Sequence, residues 1–252
     1  MKFRLKCFGF HLLGSACMLT LLLGGLYYGW YQWPGWYLTG VFHVTAILGG
    51  VDVTLGPLVT LLIANPKKPR RELARDISIV AAVQLIALVY GAGVLWHGRP
   101  LYYTFTVNRL VYVQAWEIPA DEMALAQNQN PDLAPHWYSR PRWVFIPPPK
   151  DDAGHDKAGA EAVVGGMDSI HMPRYFKPWA QGLADLREHL KTLRQVSYMF
   201  SKQERRILEE RMTSRGFAVD KPCVLFLTGH DRPLLAVFDR NTLEMKALLR
   251  VD

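Results

Sequence analysis

The chain has 252 residues, half of them hydrophobic, and a formal net charge of +7. The charge is unevenly spread, with 8 Lys and Arg against 3 Asp and Glu in residues 1–96 and 21 against 19 in residues 97–252, so the distal part has no basic face and nucleic acid is excluded as a partner. Three cysteines, Cys7, Cys17 and Cys223, give neither a disulfide framework nor a C-x-x-C metal spacing.

Lys2, Arg4 and Lys6 precede an apolar run from about Cys7 to Trp30. The run is longer than the roughly 7–15 residues of a signal-peptide core and has no A-x-A cleavage site, so a retained first transmembrane helix is expected, its N-terminus in the cytoplasm. Gly24, Gly25 and Gly29 would let another helix come close. The stretch Tyr27–Tyr37 is uncharged and dense in Trp and Tyr, with Pro34-Gly35 as a turn signal. It reads as an outer-face hairpin whose Trp30, Trp33, Trp36 and Tyr37 form an interfacial belt, rather than as a ligand-stacking surface.

A second span is expected over about residues 38–64. It carries Asp52 near its middle, flanked by Gly49, Gly50, Gly56 and Pro57. A carboxylate at bilayer depth costs about 2.5–3.5 kcal/mol on insertion scales, so Asp52 needs a reason to be there. Two readings stay open: a buried carboxyl that locks the packing of the helices, and a group that grips a client helix. The glycines and Pro57 would free backbone groups nearby for Asp52 to bond, whereas Thr54 and Thr60 can bond their own helix backbone and so add little. Lys67, Lys68, Arg70, Arg71 and Arg75 follow in a short basic loop that the positive-inside rule places in the cytoplasm. A third span, about residues 77–96, has Gln84 as its one strongly polar interior residue. An odd number of spans then puts residues 97–252 on the far side of the membrane.

That distal part is long enough for a core of its own. Leu101–Val107 and Leu110–Ala115 are β-rich runs joined at Asn108-Arg109, and a short helix is expected at Pro119–Gln127. Proline is dense from residue 131 onward and culminates in Pro147-Pro148-Pro149, which predicts loops and a mobile insertion near 147–166. Leu183, Leu186, Leu190 and Leu193 recur at helical spacing within Trp179–Gln195. Ser201-Lys202-Gln203-Glu204 is a capping box opening a helix that Gly216 ends. Strands are expected at Cys223–Thr228, Leu234–Phe238 and Leu243–Val251. The fold expected is a three-helix transmembrane bundle, residues 1–96, followed by an α+β domain with an antiparallel sheet, residues 97–252.

Catalytic signatures are missing from the sequence. An intramembrane aspartyl protease needs two carboxylates sharing a site, and the first and third spans offer none. The histidines lack the i, i+4 spacing of a zinc helix, no serine sits in G-x-S-x-G, and no phosphate-binding glycine loop occurs. The expectation is a protein that is not an enzyme and uses neither cofactor nor metal.

The residues Trp33-Pro34-Gly35-Trp36-Tyr37, Gly50-Val51-Asp52-Val53-Thr54-Leu55-Gly56-Pro57-Leu58-Val59-Thr60-Leu61 and Asn65-Pro66-Lys67 resemble the type IV pilin accessory proteins of Gram-negative bacteria. The resemblance is strong over the membrane third and looser over Leu101–Ala115. It implies an inner-membrane, chaperone-like helper that assists the stability or assembly of a cognate type IV pilin, with other pilus-assembly components of the inner membrane as further partners and the distal domain in the periplasm. A pilin awaiting assembly keeps an apolar helix in the inner membrane and its head in the periplasm, which matches this division of the chain. The rival reading is a membrane-anchored periplasmic sensor, which lacks an output domain on the cytoplasmic side. A membrane glycosyltransferase would want more spans and a charged cluster at the membrane surface.

Overall fold

Three helical runs among the described residues are long and apolar enough to cross a membrane: α1 (Lys2–Gly29), Val41–Ile63 and α5 (Arg70–His97). The computed structural model describes residues 1–148, 168–228 and 233–251. The insertion expected near 147–166 lies, apart from its first two residues, outside the described residues. The chain divides into two compact units, Met1–Trp36 with Gly40–Arg99 and Tyr37–Thr39 with Pro100–Asp252.

In the first unit α1 is joined to the second run through a single helical turn, α2 (Gly35–Leu38). The second run starts at Val41 rather than at Leu38, because Gly40 takes a left-handed conformation (φ 62°) that ends the turn before it. It consists of α3 (Val41–Gly49), a π-helical segment (Gly50–Leu55) and α4 (Gly56–Ile63). α5 begins at Arg70, earlier than the apolar span alone suggests, since Pro69 can sit ahead of a helix start without losing a hydrogen bond. Leu19, Leu26, Tyr31, Leu48, Leu88 and Leu95 form the unit's buried cluster. A Cβ on Gly91 would run into the side chain of Leu48, so the close packing of α5 against α3 depends on that glycine. Outward-pointing apolar residues are plentiful, and Leu21, Leu62, Ile86 and Tyr90 are each at least 70 % exposed.

The second unit is built on a seven-stranded sheet: β1 (Pro100–Thr106), β2 (Arg109–Gln114), β3 (Arg142–Ile146), β4 (Lys177–Pro178), β5 (Val224–Thr228), β6 (Leu234–Phe238) and β7 (Met245–Arg250), in spatial order β4-β3-β1-β2-β5-β6-β7. The expectation of an antiparallel sheet is corrected here. The sheet is mixed, because β1 pairs parallel with β3 and β2 parallel with β5. Each parallel pair is joined by a long crossover, and parallel pairing requires such a connection. Both crossovers contain helices, α6 (Ala120–Gln129) in the first and α7 (Leu183–His189), α8 (Leu193–Val196) and α9 (Lys202–Ser214) in the second.

The leucine stripe expected as one helix is divided between α7 and α8. Lys191 pairs with Val224 through two 3.0 Å backbone hydrogen bonds, which bend the chain into the sheet, and a Thr192–Gln195 capping box restarts the helix. α9 is capped as its sequence predicts, with Ser201 Oγ accepting from the Glu204 backbone N–H and Glu204 accepting from that of Ser201. Gly216 (φ 76°) ends it, while Gly216 N–H donates to Thr213 and Phe217 N–H to Met212, the two bonds of a Schellman motif.

The core lies on both sides of the sheet. Leu208 and Met212 of α9 pack with Val224, Leu235 and Leu249, and α6 contributes Met123 beside Tyr102, Val144 and Phe176. An aromatic layer of Tyr103, Phe105, Trp143, Phe145 and Trp179 covers another part, and Trp179 stacks on Phe238 to link the two ends of the sheet.

Candidate functional site

The residues that place Asp52 in an unusual setting are Gly56 and Pro57. In the π segment the Gly56 N–H reaches back five residues to the carbonyl of Val51. The next bond in that register would run from residue 57 to the carbonyl of Asp52, but proline has no N–H to give. Gln84 of α5 supplies the missing donor, its Nε2 lying 3.0 Å from the Asp52 carbonyl oxygen. It can reach there because residue 56 has no side chain, since a Cβ on Gly56 would fall on the Gln84 carboxamide. Gly56, Pro57, Asp52 and Gln84 are thus one device: the proline opens a backbone acceptor, the glycine opens the path, and the amide closes the gap.

The Asp52 side chain is only 3 % exposed. Neither of its oxygens has a hydrogen-bond partner, and the Gln84 side-chain oxygen has none either. The Gln84 carboxamide is a polar neighbour of the carboxylate but directs its donor at the backbone. Asp52 Oδ1 and Oδ2 and Gln84 Oε1 are thus three buried acceptors without a hydrogen-bond partner, close to a groove that Ser15, His11 and Thr60 also line. Such orphans are rare in folded proteins and ask for an explanation.

Asp52 and Gln84 face a groove of about 530 Å³ between α1 and α5. Cys7, His11, Gly14 and Met18 line it from α1, and Ile77, Ala81, Leu85 and Leu88 from α5. Its rim includes Phe10, Met18 and Leu85, exposed to 77 %, 47 % and 49 %. Farther along, His11 Nδ1 and Thr60 Oγ1 are hydrogen-bonded at 2.5 Å, which ties α1 to α4 at one end of the groove. Thr60 was expected to add little; burial against α1 gives it this partner.

The other predicted residues do not join this site. A Cβ on Gly50 would meet nothing within 4 Å, and one on Gly49 only Leu19 at 3.8 Å, so neither glycine serves a close approach. Gly24, Gly25 and Gly29 likewise have open space around them. Lys67, Lys68, Arg70, Arg71 and Arg75 are exposed, the last three on the first turns of α5, and Lys68 pairs with Asp76 at 2.7 Å. Trp30 meets Trp96 edge to face at 4.9 Å and Trp33 lies 6.1 Å from Trp36. Tyr37 is buried and belongs to the second unit. Among the described residues, no group of three or more His, Cys, Asp and Glu lies close enough to hold a metal ion.

Two fimbrial assembly proteins of Dichelobacter nodosus, of serogroups I and E1, are 24 % and 27 % identical to this chain over 95 % of its length and 92 % of theirs. A third, of serogroups C1 and C2, is 32 % identical over 124 residues, 95 % of its own length and 49 % of this chain. The chain belongs to the fimbrial assembly protein family. No family model and no solved structure matches it. Among the described residues lining the groove, Asp52 has no second carboxylate beside it, and the His11 imidazole is engaged by Thr60. The signals that sequence reasoning missed were the Gln84 partnership, which needs α5 to be placed, and the i−5 register that Gly56-Pro57 imposes.

Proposed function

We propose that this protein is an inner-membrane accessory factor that assists the stability or assembly of a cognate type IV pilin, without catalysing a reaction. The observation that carries the reading is the match to fimbrial assembly proteins over nearly the whole chain. The outward apolar residues of the first unit are its lipid contacts, the Trp and Tyr residues around Pro34 its belt at the headgroup level, and the exposed basic cluster its cytoplasmic loop. Three crossings then deliver residues 97–252 to the periplasm. In this arrangement the groove between α1 and α5 receives the apolar helix of a pilin not yet assembled, and the periplasmic domain meets the pilin head. Asp52 with Gly56 and Pro57 belongs to the client contact as well as to the packing.

Photocrosslinkers placed at Met18 or Leu85 on the groove rim test this directly. In native membranes they should trap the cognate pilin, and deleting the chain should lower surface pili while the pilin transcript is unchanged. Normal piliation in the deletion strain, together with no pilin adduct, rejects the reading.

A further inference from the structure

The groove has a selective feature that its apolar walls do not explain. Val41–Ile63 is a run of 23 residues and Asp52 is its twelfth, so the carboxylate sits at the centre of the span. Both of its oxygens, and the side-chain oxygen of Gln84, are buried acceptors with no donor. A lipid tail offers no donor, and lipid headgroups lie about 15 Å away when the hydrocarbon core is about 30 Å thick. Along α1 the groove runs from Cys7 to Met18, roughly 16 Å or three helical turns at 1.5 Å per residue. That length suits a segment of helix.

We infer that the groove selects a client transmembrane helix carrying a hydrogen-bond donor at mid-bilayer depth, and that Asp52, oriented beside Gln84, is the residue that recognises it. This rests on the reading of the groove as a client-helix site and adds what the client must bring. Charge and hydrogen-bond complementarity identify the occupant: three clustered acceptors match an amide, a hydroxyl or, best, an ammonium group, and they repel a second acceptor. Gly56 and Pro57 are positioning residues in this scheme, since they hold Gln84 with its Nε2 on the Asp52 carbonyl and leave its Oε1 unpartnered.

The test uses the full-length chain in phosphatidylcholine vesicles, with an acceptor fluorophore fused at its C-terminus. The probes are synthetic Leu-Ala transmembrane helices labelled with a donor fluorophore and differing only in the central residue: Leu, Asn or Lys. Energy transfer should report binding of the Asn and Lys helices at least about tenfold tighter than of the Leu helix, the ratio expected of one hydrogen bond to a charged acceptor. In Asp52→Leu the ratio of Asn or Lys binding to Leu binding should fall to about one, and circular dichroism of the same vesicles checks that the helices are still formed. If Leu binds as well as Asn and Lys, or if none binds, the inference is overturned. If the Asp52→Leu protein still prefers Asn and Lys, it is overturned as well. Trapping of the cognate pilin at Met18 and Leu85 is measured separately, so the client-helix reading can survive the loss of this one.

Discussion

Gln84 of α5 donates to the backbone carbonyl of Asp52 at 3.0 Å, occupying the position from which Pro57, lacking an N–H, cannot donate. A helix break at bilayer depth would otherwise leave a carbonyl unsatisfied, and each such group costs several kcal/mol in hydrocarbon. The repair holds the π segment in place, and with it the direction of the Asp52 side chain. Gly56 is the condition for the repair.

Gly56→Ala should therefore destabilise the membrane unit, although alanine is the better helix former. Its methyl group would displace the Gln84 carboxamide and break the bond to Asp52, for a cost of about 1–3 kcal/mol as in other overpacked interiors. Gly50→Ala, in open space on the same run, should be neutral or stabilising by up to about 1 kcal/mol. Thermal unfolding of the two proteins in detergent, followed by circular dichroism, compares them; equal melting temperatures would remove Gly56 from the scheme.

In the second unit Glu122 of α6 and Arg174 form an ion pair at 3.1 Å, with side-chain exposures of 7 % and 13 %. Arg174 also lies over the ring of Tyr175. Removing one member takes this partner from a largely buried charge, so Glu122→Leu alone should lower stability by up to about 3–5 kcal/mol, while Glu122→Leu with Arg174→Met should recover part of it. A double-mutant cycle in urea measures the coupling. Additive losses would show that the pair contributes nothing beyond packing.

The start of α9 should respond to acid. Glu204 is held below its ordinary value of 4.5, first by its hydrogen bonds with Ser201, so the folded state binds the proton less readily than the unfolded chain. The stabilisation is present above 4.5 and is lost as the pH falls through the lowered value. Amide exchange at Ser201 and Glu204, corrected for intrinsic rates, should lose protection over that acidic window, and Glu204→Gln should remove the dependence. A profile as steep in Glu204→Gln as in the parent would assign it to other groups, Asp239 among them, whose carboxylate is also lowered by the backbone N–H groups of Thr242 and Asn241.

The parts of this chain that were legible in its sequence are those fixed by local chemistry. The apolar runs, the Ser201–Glu204 box and the Gly216 stop depend on residues within a few positions of one another; the box and the stop appear where the spacing places them, and the runs appear as helices with shifted ends. What failed to show was pairing at a distance. Nothing in Leu101–Thr106 or Arg142–Ile146 reveals that they lie parallel, because alternation within a strand says which face is buried and not which way its neighbour runs. Lys191 is an ordinary solvent-facing lysine in a helical pattern until Val224 is brought beside it. The site shows the same division: Asp52, Gly56 and Pro57 stand out in one short stretch, whereas Gln84 and His11 acquire meaning only when α5 and α1 pack against it.

The functional reading depends on the side of the membrane to which the second unit is delivered, and a fusion series decides it. Lys67, Lys68, Arg70, Arg71 and Arg75 are exposed around one end of α5, where Lys68 and Arg75 pair with Asp76. That density of cations resists translocation, so the loop should stay in the cytoplasm and the C-terminus should be outside. Alkaline phosphatase joined after Val251 should be active, and the same enzyme inserted after Pro66 should be inactive, with a fluorescent protein giving the opposite pattern. Replacing the five cations with Gln or Ser should weaken the bias and produce molecules of both orientations. An inactive phosphatase after Val251 in a chain that is stably made would put the second unit in the cytoplasm, where it could not meet a pilin head, and the proposed function would fall with it.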